Sequence, residues 1–209
     1  MRRLRDIFGK RLPQTSETDL ANSLDQDPRW KRFMGDNGPC PCCGKPMQGV
    51  FDIGFHAPTT WSHPTSHDNG PGEFRFGEDF LNSDTCLHAG DFFVRCVFPL
   101  PIRGCDQSFS FGCWGSLSEE SFRRLIQSES GDDDFEGAFS WLSNSFPCFD
   151  LGEDEHVACD LIPGKRGQRP SLHAQEGPLF KAQKSGISFD HLLDIYAATG
   201  NDMRPHLVD

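Results

Sequence analysis

The sequence predicts an α+β domain: a mostly antiparallel sheet flanked by two or three helices, with an N-terminal Cys-x-x-Cys knuckle at one edge. Three observations predict it. Residues 91–102, DFFVRCVFPLPI, are apolar on both faces of an extended strand, the pattern of a strand inside a sheet. Residues 107–114 alternate, with Phe109, Phe111 and Cys113 on one face, and the turn residues 103–106 make an antiparallel hairpin the simplest pairing. Helical periodicity then appears twice, after Ser118 and after Ser188.

In the first strand Phe92, Val94, Cys96 and Phe98 share one face, and Phe93, Arg95 and Val97 share the other. Pro99 and Pro101 have no N–H to donate, so the strand ends there or reaches an edge. Arg95 is the single charge inside this run after Asp91. It is either a structural cation, paired with a carboxylate or snorkelling to water, or an anion clamp beside a pocket. Arg95 and Trp114 are the candidate binding residues.

Either Ser116 or Ser118 can cap the next helix. Ser116 has capping-box spacing to Glu119, and Ser118 puts two acids in the first turn, where the helix dipole favours them. Phe122, Leu125 and Ile126 form its apolar face, and Gly131 stops it. The last helix has Ser188 as N-cap, Ile187 and Leu192 spaced for a hydrophobic staple, and Gly200 as its end. Shorter strands are predicted over 50–55, 155–162 and 169–174, and a short helical segment within 135–149. Residues 1–39 read as an extension and linker with one helical turn near Trp30 and Phe33. Residues 40–200 read as one domain and 201–209 as a tail.

The 19 phenylalanines predict a Phe-built core. The net charge of −11 argues against a nucleic-acid binder and suits a basic protein partner. No run reaches the ~20 apolar residues of a membrane span. The basic segment 1–12 lacks the apolar region of a secretory signal. The nine cysteines are therefore expected in a reducing cytoplasm, most of them as small buried hydrophobes, Cys96 and Cys113 among them.

Cys40-Pro41-Cys42-Cys43-Gly44 has the spacing of a zinc knuckle, which supplies two of the four ligands that structural zinc takes. Two completions are open: His63 with His67, at H-x-x-x-H spacing in a Pro- and Gly-rich loop, or Cys86 with His88 from the central stretch. The second gives the candidate zinc set Cys40, Cys43, Cys86 and His88. Reduced thiols in a turn are the alternative. Cys86, beside Asp84 and His88, is also a candidate nucleophile if His156 or His173 approaches it in space.

These residues carry a resemblance. Cys40-x-x-Cys43-Gly44, Phe55-x-Ala57-Pro58, Ser83-Asp84-x-Cys86, Asp91-Phe92-Phe93-Val94-Arg95, Gly112-x-Trp114 through Ser116-Leu117-Ser118-Glu119-Glu120-x-Phe122, Trp141-Leu142, Arg169-Pro170 and Gly186-Ile187-Ser188 occur in this order. Over residues 40–200 the chain resembles the bacterial domain-of-unknown-function family 2199. The resemblance implies a small cytoplasmic bacterial protein with the knuckle at its start, and it carries no activity across. Two positions depart from the family pattern. Gly177 stands where members often have His, and Cys96 follows Arg95 where Gly is usual.

The expected function is a non-catalytic interaction or binding module, immunity-like toward a basic partner. The alternatives are a metal-dependent or cysteine-based enzyme using the Cys40, Cys43 and Cys86 region, and a structural zinc module.

Overall fold

A computed structural model describes residues 23–35, 44, 49–65, 73–130, 135–151 and 156–207. Its centre is the predicted hairpin, now β5 (Asp91–Pro101) and β6 (Ser108–Leu117), paired antiparallel from Phe92↔Leu117 to Pro101↔Ser108. β7 (Ala138–Leu142), β8 (Val157–Ile162) and β9 (Ser171–Ala174) follow antiparallel to one another, and β9 returns to β5 at Val97↔Ser171. Most pairings are antiparallel, as predicted, but the sheet is mixed, with parallel pairs at β5–β9 and at its edge, and it closes into a five-stranded barrel. Parity explains the mixture. Four antiparallel steps bring the fifth strand back in the direction of the first, so the closing pair must be parallel.

β5 and β6 are longer than the barrel needs, and the excess recruits further strands. β4 (Thr85–His88) pairs with the first part of β5, and β3 (Asp79–Leu81) and β2 (Phe74–Phe76) continue the antiparallel series outward. β1 (Ile53–Gly54) pairs parallel with Phe111 and Gly112 of β6, a short remnant of the strand predicted over 50–55. The outer edge of β5 therefore carries β4 first and β9 second. The Arg95 N–H donates to Asp84 O (2.8 Å), and the Val97 N–H donates to Pro170 O (2.9 Å). The next two residues of that parity are Pro99 and Pro101, which have no N–H to donate; beyond them the edge is taken up by Ile187, whose N–H donates to Pro101 O (2.8 Å) in a parallel bridge with Ile102.

Alternation along β5 and β6 builds two cores. Val94, Cys96, Phe98 and Leu100 face Phe109, Phe111 and Cys113 within the main core, with the four larger side chains Phe98, Leu100, Phe109 and Phe111 fully buried. Cys96, Cys113 and Cys159 act there as small hydrophobes with free thiols, and burial pushes each thiol pKa up. The opposite face contributes Phe93 and Trp114 to a second, smaller core with Leu81 and Cys86.

Four helices flank the barrel among the described residues, against two or three predicted. α1 (Pro28–Phe33) is capped by Asp27, whose carboxylate accepts the Arg29 N–H at 2.8 Å. It delivers Trp30 and Phe33 to the main core. α2 (Glu119–Ser130) starts at Ser118, whose hydroxyl accepts the Ser121 N–H; Ser116 is still in β6. α3 (Gly177–Ser185) is a helix that the sequence reading does not include. Pro178 sits in its first turn, where a missing N–H goes unused, and Leu179 and Ala182 are buried. α4 (Phe189–Ala198) is capped by the Ser188 hydroxyl on the His191 N–H (3.1 Å), with Ile187 and Leu192 both buried. Gly200, at φ 81°, ends it in a Schellman turn: Gly200 N–H donates to Ala197 O and Asn201 N–H to Tyr196 O.

The helical segment predicted over 135–149 is instead the strand β7. Phe139 and Trp141 point outward at 49% and 44% exposure, and Ser140 is fully buried. In the structure they alternate on the wet face of a barrel strand. The knuckle residues Cys40 and Cys43, like His67, lie outside the described residues.

Tyr196 joins α4 to the segment before β1. Its ring stacks on Phe51 at 4.1 Å, its hydroxyl donates to Phe51 O (2.8 Å), and it accepts the Phe51 N–H (3.0 Å). Tyr196→Phe keeps the stack and strands both backbone groups. It should lower the unfolding free energy by about 1–3 kcal/mol with an unchanged denaturant slope, measured by urea unfolding.

Candidate functional site

The two strands on the outer edge of β5 diverge at Arg95 and Val97, and a cleft of about 950 Å³ opens at this fork. Asp84 and Thr85 at the start of β4 form one side. The β8–β9 loop, residues 163–170, forms another. Leu125, Ile126 and Ser128 of α2, with Phe135 and Glu136, complete the wall. A point where two strands leave a shared neighbour is a natural place for a ligand, because the backbone there cannot close the gap with its own hydrogen bonds.

The cleft is lined by four cations, Arg95, Lys165, Arg166 and Arg169, and two acids, Asp84 and Glu136. That is the reverse of the chain's net charge of −11. Arg169 Nε–H donates to Asp84 Oδ1 at 2.8 Å. Burial works against charge on Asp84, but the Ser83 hydroxyl and Arg169, helped by the charge of Arg95, hold its carboxyl below the usual range. Asp84 is thus ionised and hydrogen-bonded to Arg169.

Among the described residues Arg95 has no such partner. Its guanidinium lies 5.8 Å from the centre of the Trp114 ring, within cation–π range. Its Nε–H is buried without a hydrogen-bond partner among the described residues. Burial and the neighbouring Arg169 lower the pKa of Arg95, and Asp84 opposes them. The guanidinium has room because β1 brings a glycine beside it: a Cβ on Gly54 would lie 3.1 Å from Arg95 NH2. Trp114 is fully buried, with its indole N–H on Phe55 O (3.1 Å) and its backbone N–H on Asn144 Oδ1 (2.8 Å). It forms the platform for Arg95.

Cys86 and His88 sit on β4, away from the cleft's charged wall. Cys86 is fully buried in the smaller core, and burial together with the charge of Asp79 pushes its thiol up to about 12. A nucleophilic cysteine needs the opposite environment. His156 packs on Trp141, and His173 Nε2 lies 3.0 Å from Ser171 Oγ. His88 has different company. Its Nε2 is 3.8 Å from Asp79 Oδ2, the same oxygen that lies 2.6 Å from His63 Nε2. His63 was legible as a candidate ligand. Asp79 was not, because nothing in its own neighbourhood marks it.

The chain was compared with known proteins. Residues 39–187 match the model of the family described as an uncharacterized protein conserved in bacteria, DUF2199. The chain belongs to this family. Its matched region spans the whole barrel, the cleft and α3, and ends one residue before the cap of α4. No curated protein and no solved structure matches the chain. No helix among the described residues is long and apolar enough to cross a membrane.

The thiol environments lead to a direct expectation. With a pKa of about 12, roughly one Cys86 in ten thousand is thiolate at pH 8. In the native protein Cys86 should be alkylated far more slowly than the exposed Cys148, and should become reactive on denaturation or as pH approaches 12. Iodoacetamide labelling followed by peptide mass spectrometry reads both rates.

Proposed function

We propose that this protein is a non-catalytic binding module that takes an anionic group, a carboxylate or phosphate, into the cleft at the β5 fork. The observation that carries the reading is Arg95: a half-buried guanidinium on the Trp114 ring, with a buried Nε–H that no described residue accepts. A buried donor left unpaired costs about 1–3 kcal/mol, and an anion would remove that penalty. Lys165, Arg166 and Arg169 add positive potential at the mouth. In a chain of net charge −11 such a patch concentrates field in one place while the remaining surface repels anions in general. A fork-shaped guanidinium suits planar, two-point recognition of carboxylate or phosphate better than an ammonium would.

A specific observation favours a second reading, a protein-docking face. Phe139, Trp141 and Ile162 are exposed on the outer face of β7 and β8, at 49%, 44% and 45%, around Asp160. Exposed aromatics beside an acid on an acidic protein would suit a basic partner. Such a complex would weaken at high salt and on Trp141→Ser, and would be untouched by Arg95 variants.

Inorganic phosphate and citrate serve as probes of the cleft, followed through the Arg Nε–H signals in ¹H–¹⁵N spectra. One Nε–H signal, assigned by its loss in Arg95→Lys, should shift saturably with either anion. Arg95→Lys should weaken binding by about 10- to 100-fold, matching the roughly 1.5–3 kcal/mol of a charged hydrogen bond. An Arg95 signal that ignores both anions while the protein stays folded would exclude this reading.

A further inference from the structure

His63, Asp79 and His88 come from three separate segments: the loop after β1, the first residue of β3 and the last residue of β4. Their ligand atoms all lie within 4.8 Å of one another. His63 Nε2 is 2.6 Å and His88 Nε2 is 3.8 Å from the same oxygen, Asp79 Oδ2. An ion bound at about 2.0–2.1 Å by tetrahedral ligands holds them roughly 3.4 Å apart. The two separations bracket that spacing, and a turn of the His88 ring away from Ser62 Oγ, which lies 3.2 Å from its Nε2, would bring the three atoms toward one ion.

The surroundings fix the donors. Asp79 Oδ1, the oxygen facing away from the imidazoles, accepts the Ala89 N–H at 2.9 Å. Such a contact to the outer carboxylate oxygen orients a ligating carboxylate. Ala89 makes it from an uncommon conformation. It has φ 52° and is followed by Gly90 at φ 87°, a tight turn in which a non-glycine residue at positive φ is disfavoured. The same turn ends β4 at His88, so one strained hairpin positions both a ligand and the brace of another. The His63 ring stacks on Phe76 at 4.5 Å and 10°, and the Trp61 ring lies 5.0 Å from His63 and 5.4 Å from His88. These aromatics shield the group in part; the side chains of His63, Asp79 and His88 are 28%, 21% and 13% exposed. The Trp61 indole N–H is itself buried without a partner among the described residues.

We infer that His63 Nε2, Asp79 Oδ2 and His88 Nε2 hold one divalent transition-metal ion, leaving a fourth position for water or a ligand oxygen. Two imidazoles and one carboxylate select zinc-like or iron(II)-like ions over calcium and magnesium, which take oxygen ligands. The set shares only His88 with the zinc set drawn from the sequence. Cys86 Sγ is not among the clustered atoms, and Cys40 and Cys43 are not needed. An ion here would tie the loop carrying His63 to the β2–β4 meander, and an open fourth position is the arrangement of sites that act on a ligand rather than only support a fold.

The test is a Co²⁺ titration of the full chain followed by visible absorption, run in wild type and in Cys40→Ser/Cys43→Ser. One equivalent should bind with the weak visible bands of nitrogen and oxygen ligation, without thiolate charge-transfer absorption in the double-serine variant, and the ion should raise the melting temperature. Asp79→Asn and His63→Gln should each weaken Co²⁺ binding at least 100-fold. Their metal-free melting temperatures decide whether the fold has survived, and His63→Gln, on the loop, is the variant of record if Asp79→Asn unfolds. The inference is overturned if Co²⁺ does not bind, if its binding is lost with Cys40 and Cys43, or if it persists in a folded Asp79→Asn or His63→Gln protein.

Discussion

One edge of β5 serves two strands, and the rest of the structure follows from how they share it. A strand has one row of hydrogen-bonding groups on each side. The inner row of β5 is taken by β6 along its full length. The outer row is divided: Arg95 bonds to the segment entering β4, Val97 to the segment entering β9, and the prolines at 99 and 101 have no N–H to donate, Pro101 O only accepting the Ile187 N–H. β9 closes the barrel, while β4 peels away to build the outer meander. Two strands with different directions and different onward paths cannot stay in contact past the point of division, so a cleft appears there.

That division also separates two environments. The face of β5 toward the barrel is dry and carries Phe, Leu and Cys. The other face carries Phe93 into a small core and Arg95 to its rim. Burying part of a guanidinium is unfavourable, and the Trp114 ring offsets some of that loss. Trp114 is in turn held by Phe55 and Asn144, so loop residues well removed in sequence fix the position of one charge. Gly54 and Gly112 lie opposite each other across the β1–β6 pair, and the missing side chain at 54 leaves the guanidinium its space.

The cleft and the His63–Asp79–His88 group flank the same strand, β4, from opposite ends. Asp84, just before it, is bound to Arg169, and His88, its last residue, meets Asp79. Between them Cys86 is buried as a packing residue with a protonated thiol. The reactive-looking motif of the strand is therefore its least reactive position, and the polar chemistry is pushed to its ends, where side chains reach partners from other elements.

Local signals in the sequence are legible where one stretch contains its own answer. Alternation marked the β5–β6 hairpin, and the Ser118, Ser188 and Gly200 signals marked helix ends, because a strand face or a cap is decided within a few residues. β7 departs from the helical expectation for the complementary reason. Its aromatics are exposed and its serine is buried, which inverts the usual pattern, and α3, for which the sequence carries no marked signal, is fixed by the burial of Leu179 and Ala182. The sequence by itself determined the central hairpin, the two capped helices, the Phe-rich core and the family. Only the tertiary structure decided the barrel closure, the basic cleft around Arg95 and the meeting of His63, Asp79 and His88, because each depends on groups far apart in the chain whose approach is set by strand pairing, and no single stretch records it.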